Sequence, residues 1–242
     1  MSAEAQATPP TLSALGCPDR TETHQGEAHL AGHLPATTVA LGREFFASDA
    51  RDVARALLGK LLVRSDGRVG RLVEVEAYMG MDDPGSHAFR GPTPRAAIMF
   101  GPAGRLYVYF SYGMHWCANV VCGPEGKASA VRLRAAQPLG EVTLMRQARS
   151  HGQKSLRDRD LCRGPARLAE AFGITGSLNG TDVVAAQGGR KVLWLADDGS
   201  ELAGRVVATP RVGLSATRGP GLPWRYVVAG SPWASGSVPQ DR

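Results

Sequence analysis

Between Arg71 and Asn119 the chain alternates two kinds of sequence, and that alternation leaves it few folds. Val73-Glu-Val-Glu-Ala-Tyr78 and Leu106-Tyr-Val-Tyr-Phe110 change character at every second residue, the period of a strand whose side chains point to its two faces in turn. Between them lie Asp82-Asp83-Pro84-Gly85, Gly91-Pro92-Thr93-Pro94 and Gly101-Pro102-Ala103-Gly104, which interrupt any helix or strand. Residues 79–104 are therefore expected to be loop, with a helical turn opening at Pro94. Loops this long inside a compact domain usually carry function, which favours His87 as a site residue over a structural one.

Four of the five tyrosines (Tyr78, Tyr107, Tyr109, Tyr112) fall in this stretch. Rings gathered at strand ends can build a pocket for a flat ligand, or Tyr107 and Tyr109 can simply cover one face of a sheet. Both readings stand open on spacing alone. Alternation places Leu72, Glu74, Glu76 and Tyr78 on one face and Val73, Val75 and Ala77 on the other. Charged residues on a strand commonly face water, so the pair Glu74 and Glu76, taken by itself, reads as a solvated face.

The rest of the chain supplies a sheet and its helices. Ser48 or Asp49 caps a helix whose Val53, Ala54, Leu57 and Leu58 share a side, and Gly59 suits its stop. Lys60–Arg64 and Val69–Tyr78, joined by Ser65-Asp66-Gly67, form a hairpin. Arg105–Phe110 and His115–Cys122 form a second, with Tyr112 near its tip, where a ring either packs on a neighbour or serves as a wedge. Ser129–Ala136 is a strand with Arg132 and Arg134 on one face. Helices are expected over Glu141–Arg149 and from Pro165 to about Phe172, and short strands over Val192–Leu195, Arg205–Val207 and Arg225–Val228. Met1 to about Ala40 has no aromatic residue and reads as a disordered tail, leaving residues 41–242 as one domain.

Charge narrows the partners. The formal charge is +6, yet residues 1–44 carry two arginines against five carboxylates, so the excess of cations belongs to the folded part. Only four of the 28 cations are lysine; arginine suits bidentate phosphate contact, although a G- and C-rich genome favours the same codons. The segment with Arg149, Lys154, Arg157, Arg159, Arg163 and Arg167 reads equally as a phosphate-facing patch or a solvated helical face. No apolar run reaches the length of a bilayer span and no signal peptide opens the chain, so a cytoplasmic protein without membrane contact is expected. The four cysteines form no C-x-x-C pair, and His24, His29 and His33 sit in the tail, so neither disulfides nor a metal site is expected.

Several motifs occur in a familiar order: V-E-V-E-A-Y-M-G, S-H-A-F, T-P-R, M-F-G-P-A-G-R-L-Y-V-Y-F-S-Y-G-M-H-W-C-A-N, V-R-L-R-A-A-Q-P, L-C-R-G-P-A-R-L and R-Y-V-V-A-G-S-P-W. Over about Leu41 to Trp233 the chain thereby resembles the alkyladenine (3-methyladenine) DNA glycosylase family of the mammalian type. The resemblance implies an α+β single domain on a curved antiparallel sheet, with surrounding helices and a hairpin that protrudes into DNA. It also implies a monomer without cofactor, acting on double-stranded DNA that contains alkylated or deaminated purines. By position, Glu76 resembles the catalytic base, Tyr78 the ring stacked on one face of the flipped base, and His87 the contact on its other side, with Tyr109 beside it. Tyr112 resembles the intercalating wedge, Asn119 the residue that discourages normal guanine, and Arg134 the side chain that helps to place water and deoxyribose. Two positions depart from the pattern: Arg132 stands where an apolar residue is usual, and His115 replaces an aromatic. Either change can alter lesion preference.

The chemistry fits those residue types. Breaking an N-glycosidic bond builds oxocarbenium character at the sugar, which one carboxylate stabilises while it deprotonates the attacking water. Nothing places an amine beside Glu76 in sequence, so an abasic site rather than Schiff-base cleavage is the expected product. Two other classes remain: a non-catalytic binder of damaged or distorted DNA, and a carbohydrate hydrolase using Glu74 and Glu76 as an acid and nucleophile pair. The latter leaves the tyrosine wedge and the basic charge unexplained.

Overall fold

In this computed structural model, residues 34–151, 156–184, 191–215, 219 and 221–236 are described. Residues 1–33, with all three tail histidines, lie outside them. Strand β1 (Val39–Ala40), at the expected boundary near Ala40, pairs with a strand near the far end of the chain.

Nine strands, all paired antiparallel, form one curved sheet among the described residues. They are β1, β2 (Leu61–Arg64), β3 (Val69–Tyr78), β4 (Leu106–Ser111), β5 (His115–Val121), β6 (Ala130–Gly140), β7 (Leu193–Asp197), β8 (Val206–Thr209) and β9 (Arg225–Val228). The order is β1-β7-β2-β3-β6-β5-β4, and β9 joins β3 while pairing with β8. Strand β3 is the hub. Its first half pairs with β2, its second half with β9, and β6 runs along its other edge.

The helices are α1 (Arg43–Phe46), α2 (Ala50–Leu57), α3 (Val142–Arg149), α4 (Asp158–Leu161) and α5 (Pro165–Ala171). Asp49 caps α2 by accepting from Arg51 N at 2.8 Å, an interaction worth about 1 kcal/mol. The buried face of α2 (Ala50, Val53, Ala54, Leu57) packs on β3 and β6, and α5 packs on β5 and β6. No helix among the described residues is long and apolar enough to cross a membrane.

The sheet has a core on each face. The larger cluster holds Leu72, Val75, Ala77, Leu106, Val108, Val131 and Leu133 under the helices. The second holds Ala88, Ala96, Met99, Tyr107, Tyr109, Cys117 and Ala130, where residues 79–104 fold back across β4, β5 and β6. Gly80 permits that fold-back: its φ is +65°, and a Cβ there would lie 1.8 Å from the Ala128 carbonyl oxygen. Cys117 and Cys122 fall in different clusters, as strand alternation requires, and both are free and buried.

Simple alternation fails at one point in β3. Leu72 was expected on the face of Glu74, yet Leu72 and Val73 both enter the larger core. The register against β6 shifts between Leu72 and Glu74 and again before Val75, so a bulge turns two successive side chains to one side. The two glutamates still share a face, but it is not a solvated one.

Candidate active site

Register alone lines up the candidate residues. Glu76 on β3 is paired with Arg132 on β6, Arg132 with Asn119 on β5, and Asn119 with Tyr107 on β4. Four adjacent strands thus contribute one residue each to a row crossing the sheet. Tyr78 and Tyr109 each stand two residues further along their strands, on the same face as the row. The crossing loop adds Gly85, Ser86, His87 and Met99, and these with Tyr78, Tyr107, Tyr109, Asn119 and Arg132 line one pocket.

The rings are fixed against one another. His87 meets Tyr109 edge-on at 4.5 Å between centroids, and its Nδ1 lies 2.9 Å from the Tyr107 hydroxyl. Asn119 donates its amide to the Tyr107 carbonyl at 2.9 Å, bracing β5 against β4 from inside the pocket. Burial pushes the Tyr78 and Tyr109 phenols up, far from ionisation, so both act as neutral hydrogen-bonding groups.

Glu76 is fully buried, which corrects the solvated-face expectation, and each of its oxygens has two partners. Oε1 accepts from Val212 N at 2.8 Å and lies 3.1 Å from an Arg134 nitrogen. Oε2 accepts from the Tyr78 hydroxyl at 2.9 Å and from Arg132 at 3.3 Å. A carboxylate offers about four lone-pair directions, so Glu76 is saturated. The Val212 contact comes from a segment with no motif of its own. That segment is held by Arg211, whose buried guanidinium grips Asp83 at 2.5 and 2.6 Å and donates to the Ala77 carbonyl.

Glu74, equally buried, belongs to a second network. It accepts from Arg134 Nε at 2.6 Å, Arg225 Nε at 2.8 Å, and the amide and hydroxyl of Ser235 at 2.6 and 2.9 Å. Burial works against its charged form, but the Arg134 charge and the Arg225 hydrogen bond outweigh that, holding the carboxyl below its ordinary value. Arg134 bridges the two networks and is not among the residues lining the pocket. It supports the carboxylates from behind.

Tyr112 lies apart from the pocket, at the β4–β5 tip. Tyr112 and Gly113 have φ of 51° and 65°, and Met114 N donates to Ser111 O at 3.1 Å, the pattern of a type I′ turn. An aromatic residue in that left-handed position is strained, and at 82% exposure packing does nothing to offset it. Phe110 and Met114 beside it are also exposed. His115 closes the same hairpin opposite Ser111, away from the pocket residues.

The sequence reading brought Glu76, Tyr78, His87, Tyr109 and Asn119 together, and they meet. It missed Arg211, Val212, Asp83, Arg225, Ser235 and the pocket position of Arg132's side chain. For Arg225 and Arg132 the quoted motifs held the clue; for Arg211 and Val212 nothing local does. Much of the dense basic segment is paired internally, Arg149 with Glu170 and Arg157 with Asp160, which weakens its reading as a phosphate patch. Among the described residues no three His, Cys, Asp or Glu side chains form a group suited to a metal ion.

Comparison with known proteins adds independent findings. The sequence profile of the methylpurine-DNA glycosylase family matches residues 44–232. A protein of Burkholderia lata is 51% identical over 198 residues, covering 82% of this chain and 92% of that protein. Proteins of Frankia casuarinae and Streptomyces avermitilis are each 47% identical, over 208 and 198 residues, covering 83% and 81% of this chain and 94% and 90% of theirs. All three carry the provisional name 3-methyladenine DNA glycosylase.

Proposed function

The chain belongs to the methylpurine-DNA glycosylase family, and from that premise we propose that it is a monofunctional glycosylase that flips alkylated or deaminated purines out of duplex DNA and hydrolyses their N-glycosidic bond. The observation that carries this reading is the buried carboxylate of Glu76 directly behind a pocket walled by Tyr78, His87 and Tyr109. A flat base stacks between such rings, and a carboxylate at the sugar end has the charge to stabilise an oxocarbenium ion and the basicity to take a proton from water.

Each residue then has a task. Glu76 activates water, and the Tyr78 hydroxyl and Val212 amide fix its oxygens. Arg134 holds Glu76 in register with the scaffold. Tyr78 stacks on one face of the base, His87 and Tyr109 contact the other, and Asn119 occupies the space that a guanine 2-amino group needs. Tyr112 fills the gap left in the duplex, offsetting part of the few kcal/mol that extrusion costs. Among the described residues no lysine lines the pocket, which favours water over an amine as the nucleophile. On this reading the protein acts as a monomer on chromosomal DNA in the cytoplasm; the bacterial origin of its relatives supports the compartment.

The competing reading is a protein that binds damaged DNA without cutting it. Single-turnover incubation with a hypoxanthine-containing duplex separates the two. The proposal expects free base and an alkali-labile abasic site, without strand scission before alkali. Tight binding with no free base would leave only the binder, and scission without alkali would point to a lyase.

A further inference from the structure

The pocket walled by Tyr78, His87, Tyr107 and Tyr109 already has an occupant, and it belongs to the protein. The Arg132 guanidinium carbon sits 4.5 Å from the centroid of Tyr78 and 5.6 Å from that of Tyr109. It donates to the Tyr109 hydroxyl and, at 3.3 Å, to Glu76 Oε2, while its Nε finds no partner among the described residues. The space left over is about 10 Å³, the threshold for one water and far below the roughly 300 Å³ or more of a small-molecule site. A planar cation therefore fills the slot that a flipped purine would need. It also holds one of the four positions on Glu76, so the carboxylate has no free lone pair for a water until Arg132 withdraws.

Withdrawal does not take the charge away. Arg132 is anchored in the sheet between Glu76 and Asn119, so its guanidinium stays at the pocket margin after a base has displaced it. What enters must share an enclosed, water-poor site with that cation, where charges interact more strongly than in water. A purine alkylated at N3 or N7 carries a positive charge and is repelled. A deaminated purine such as hypoxanthine is neutral and presents carbonyl and ring-nitrogen acceptors to an all-donor guanidinium. Building on the glycosylase reading above, we propose that Arg132 is a specificity-determining residue that biases this enzyme towards neutral, acceptor-rich purine lesions and against cationic alkylpurines.

The test is a ratio of single-turnover excision rates from matched duplexes carrying hypoxanthine or 7-methylguanine, each corrected for spontaneous release. It is measured for the wild type, for Arg132→Met, which keeps length and loses charge, and for Arg132→Lys, which keeps charge. Arg132→Gln supplies a second neutral side chain should the methionine variant not fold. The hypoxanthine preference is expected to fall at least about tenfold in the neutral variant, equivalent to about 1.4 kcal/mol, and to survive in the lysine variant. A purely structural role would lower both rates together and leave the ratio alone. An unchanged ratio in an active neutral variant overturns the inference while leaving the glycosylase reading intact. A wild type that releases neither base overturns both.

Discussion

Glu74 and Glu76 lie two residues apart on one strand, both without exposed surface, and their surroundings differ in one respect that decides what each can do. Glu74 is enclosed by partners that belong to the scaffold: Arg134, Arg225 and Ser235. None of these lines the pocket of Tyr78 and Tyr109, so a ligand in that pocket does not touch them. Glu76 has two scaffold partners on Oε1, but on Oε2 it has Tyr78 and Arg132, both of which line the pocket. One carboxylate is closed to solvent and substrate alike; the other is closed only by groups that a substrate would touch. Burial and charge pairing alone therefore do not mark a reacting residue. What sets apart the carboxylate proposed to react is that some of its partners face a pocket.

The comparison is most severely tested at Arg134, which serves both sides. Arg134→Met leaves two buried carboxylates short of a cation, and a loss of about 3–5 kcal/mol in the urea unfolding free energy is expected, together with slower excision. Stability within about 1 kcal/mol of wild type would mean that the bridge does not join the two networks. Glu74→Gln should cost less, about 2–3 kcal/mol at pH 7, since the amide keeps some of the hydrogen bonds. Its dependence on pH has a fixed sign. The folded-state carboxyl is held low, so its contribution is complete above the ordinary carboxylate value of about 4.3 and disappears as pH falls through the lower folded value. The gap between wild type and Glu74→Gln must therefore narrow below about pH 4; a gap that widens there contradicts the ion-pair account.

Smaller effects belong to residues that touch neither network. Tyr112→Ala is expected to slow excision from duplex about tenfold, about 1.4 kcal/mol, while single-stranded substrate is spared, because only a duplex leaves a gap to fill. Equal losses on both substrates would remove the wedge. The same variant should be about as stable as wild type, since the ring is exposed and alanine puts the same Cβ on the left-handed backbone. Asn119→Ser should raise release of normal guanine about threefold, a fraction of a kcal/mol; no increase, with hypoxanthine excision retained, would locate discrimination elsewhere in the pocket.

Much of this was legible in the sequence, and the limits have physical causes. The period-two runs at 73–78 and 106–110 define β3 and β4, and the Gly- and Pro-rich stretch between them is the loop that carries His87 over the pocket. The bulge at Leu72–Val75 was hidden because one extra residue in a strand leaves the composition unchanged and shifts only the pairing. The burial of Glu74 and Glu76 was hidden for a different reason. A strand pattern shows which residues share a face, but whether that face meets water depends on distant segments, here Val212, Arg225 and Ser235. The same holds for Arg132. Its face was readable from spacing, but its place among the rings of Tyr78 and Tyr109 follows from the curvature of the sheet and the return of the loop.

The central claim, that Glu76 reacts while Glu74 supports, meets its most direct test in paired single-turnover measurements on a hypoxanthine-containing duplex with Glu76→Gln and Glu74→Gln, at enzyme concentrations that saturate the substrate. Glutamine keeps the shape of each side chain and removes charge and basicity. Glu76→Gln is expected to bind the duplex nearly as well as wild type and to lose at least ~10²- to 10⁴-fold in excision rate, whereas Glu74→Gln, though less stable, keeps its rate within about tenfold when folded. A Glu76→Gln enzyme with near-normal rate beside an inactive but folded Glu74→Gln enzyme would contradict the assignment.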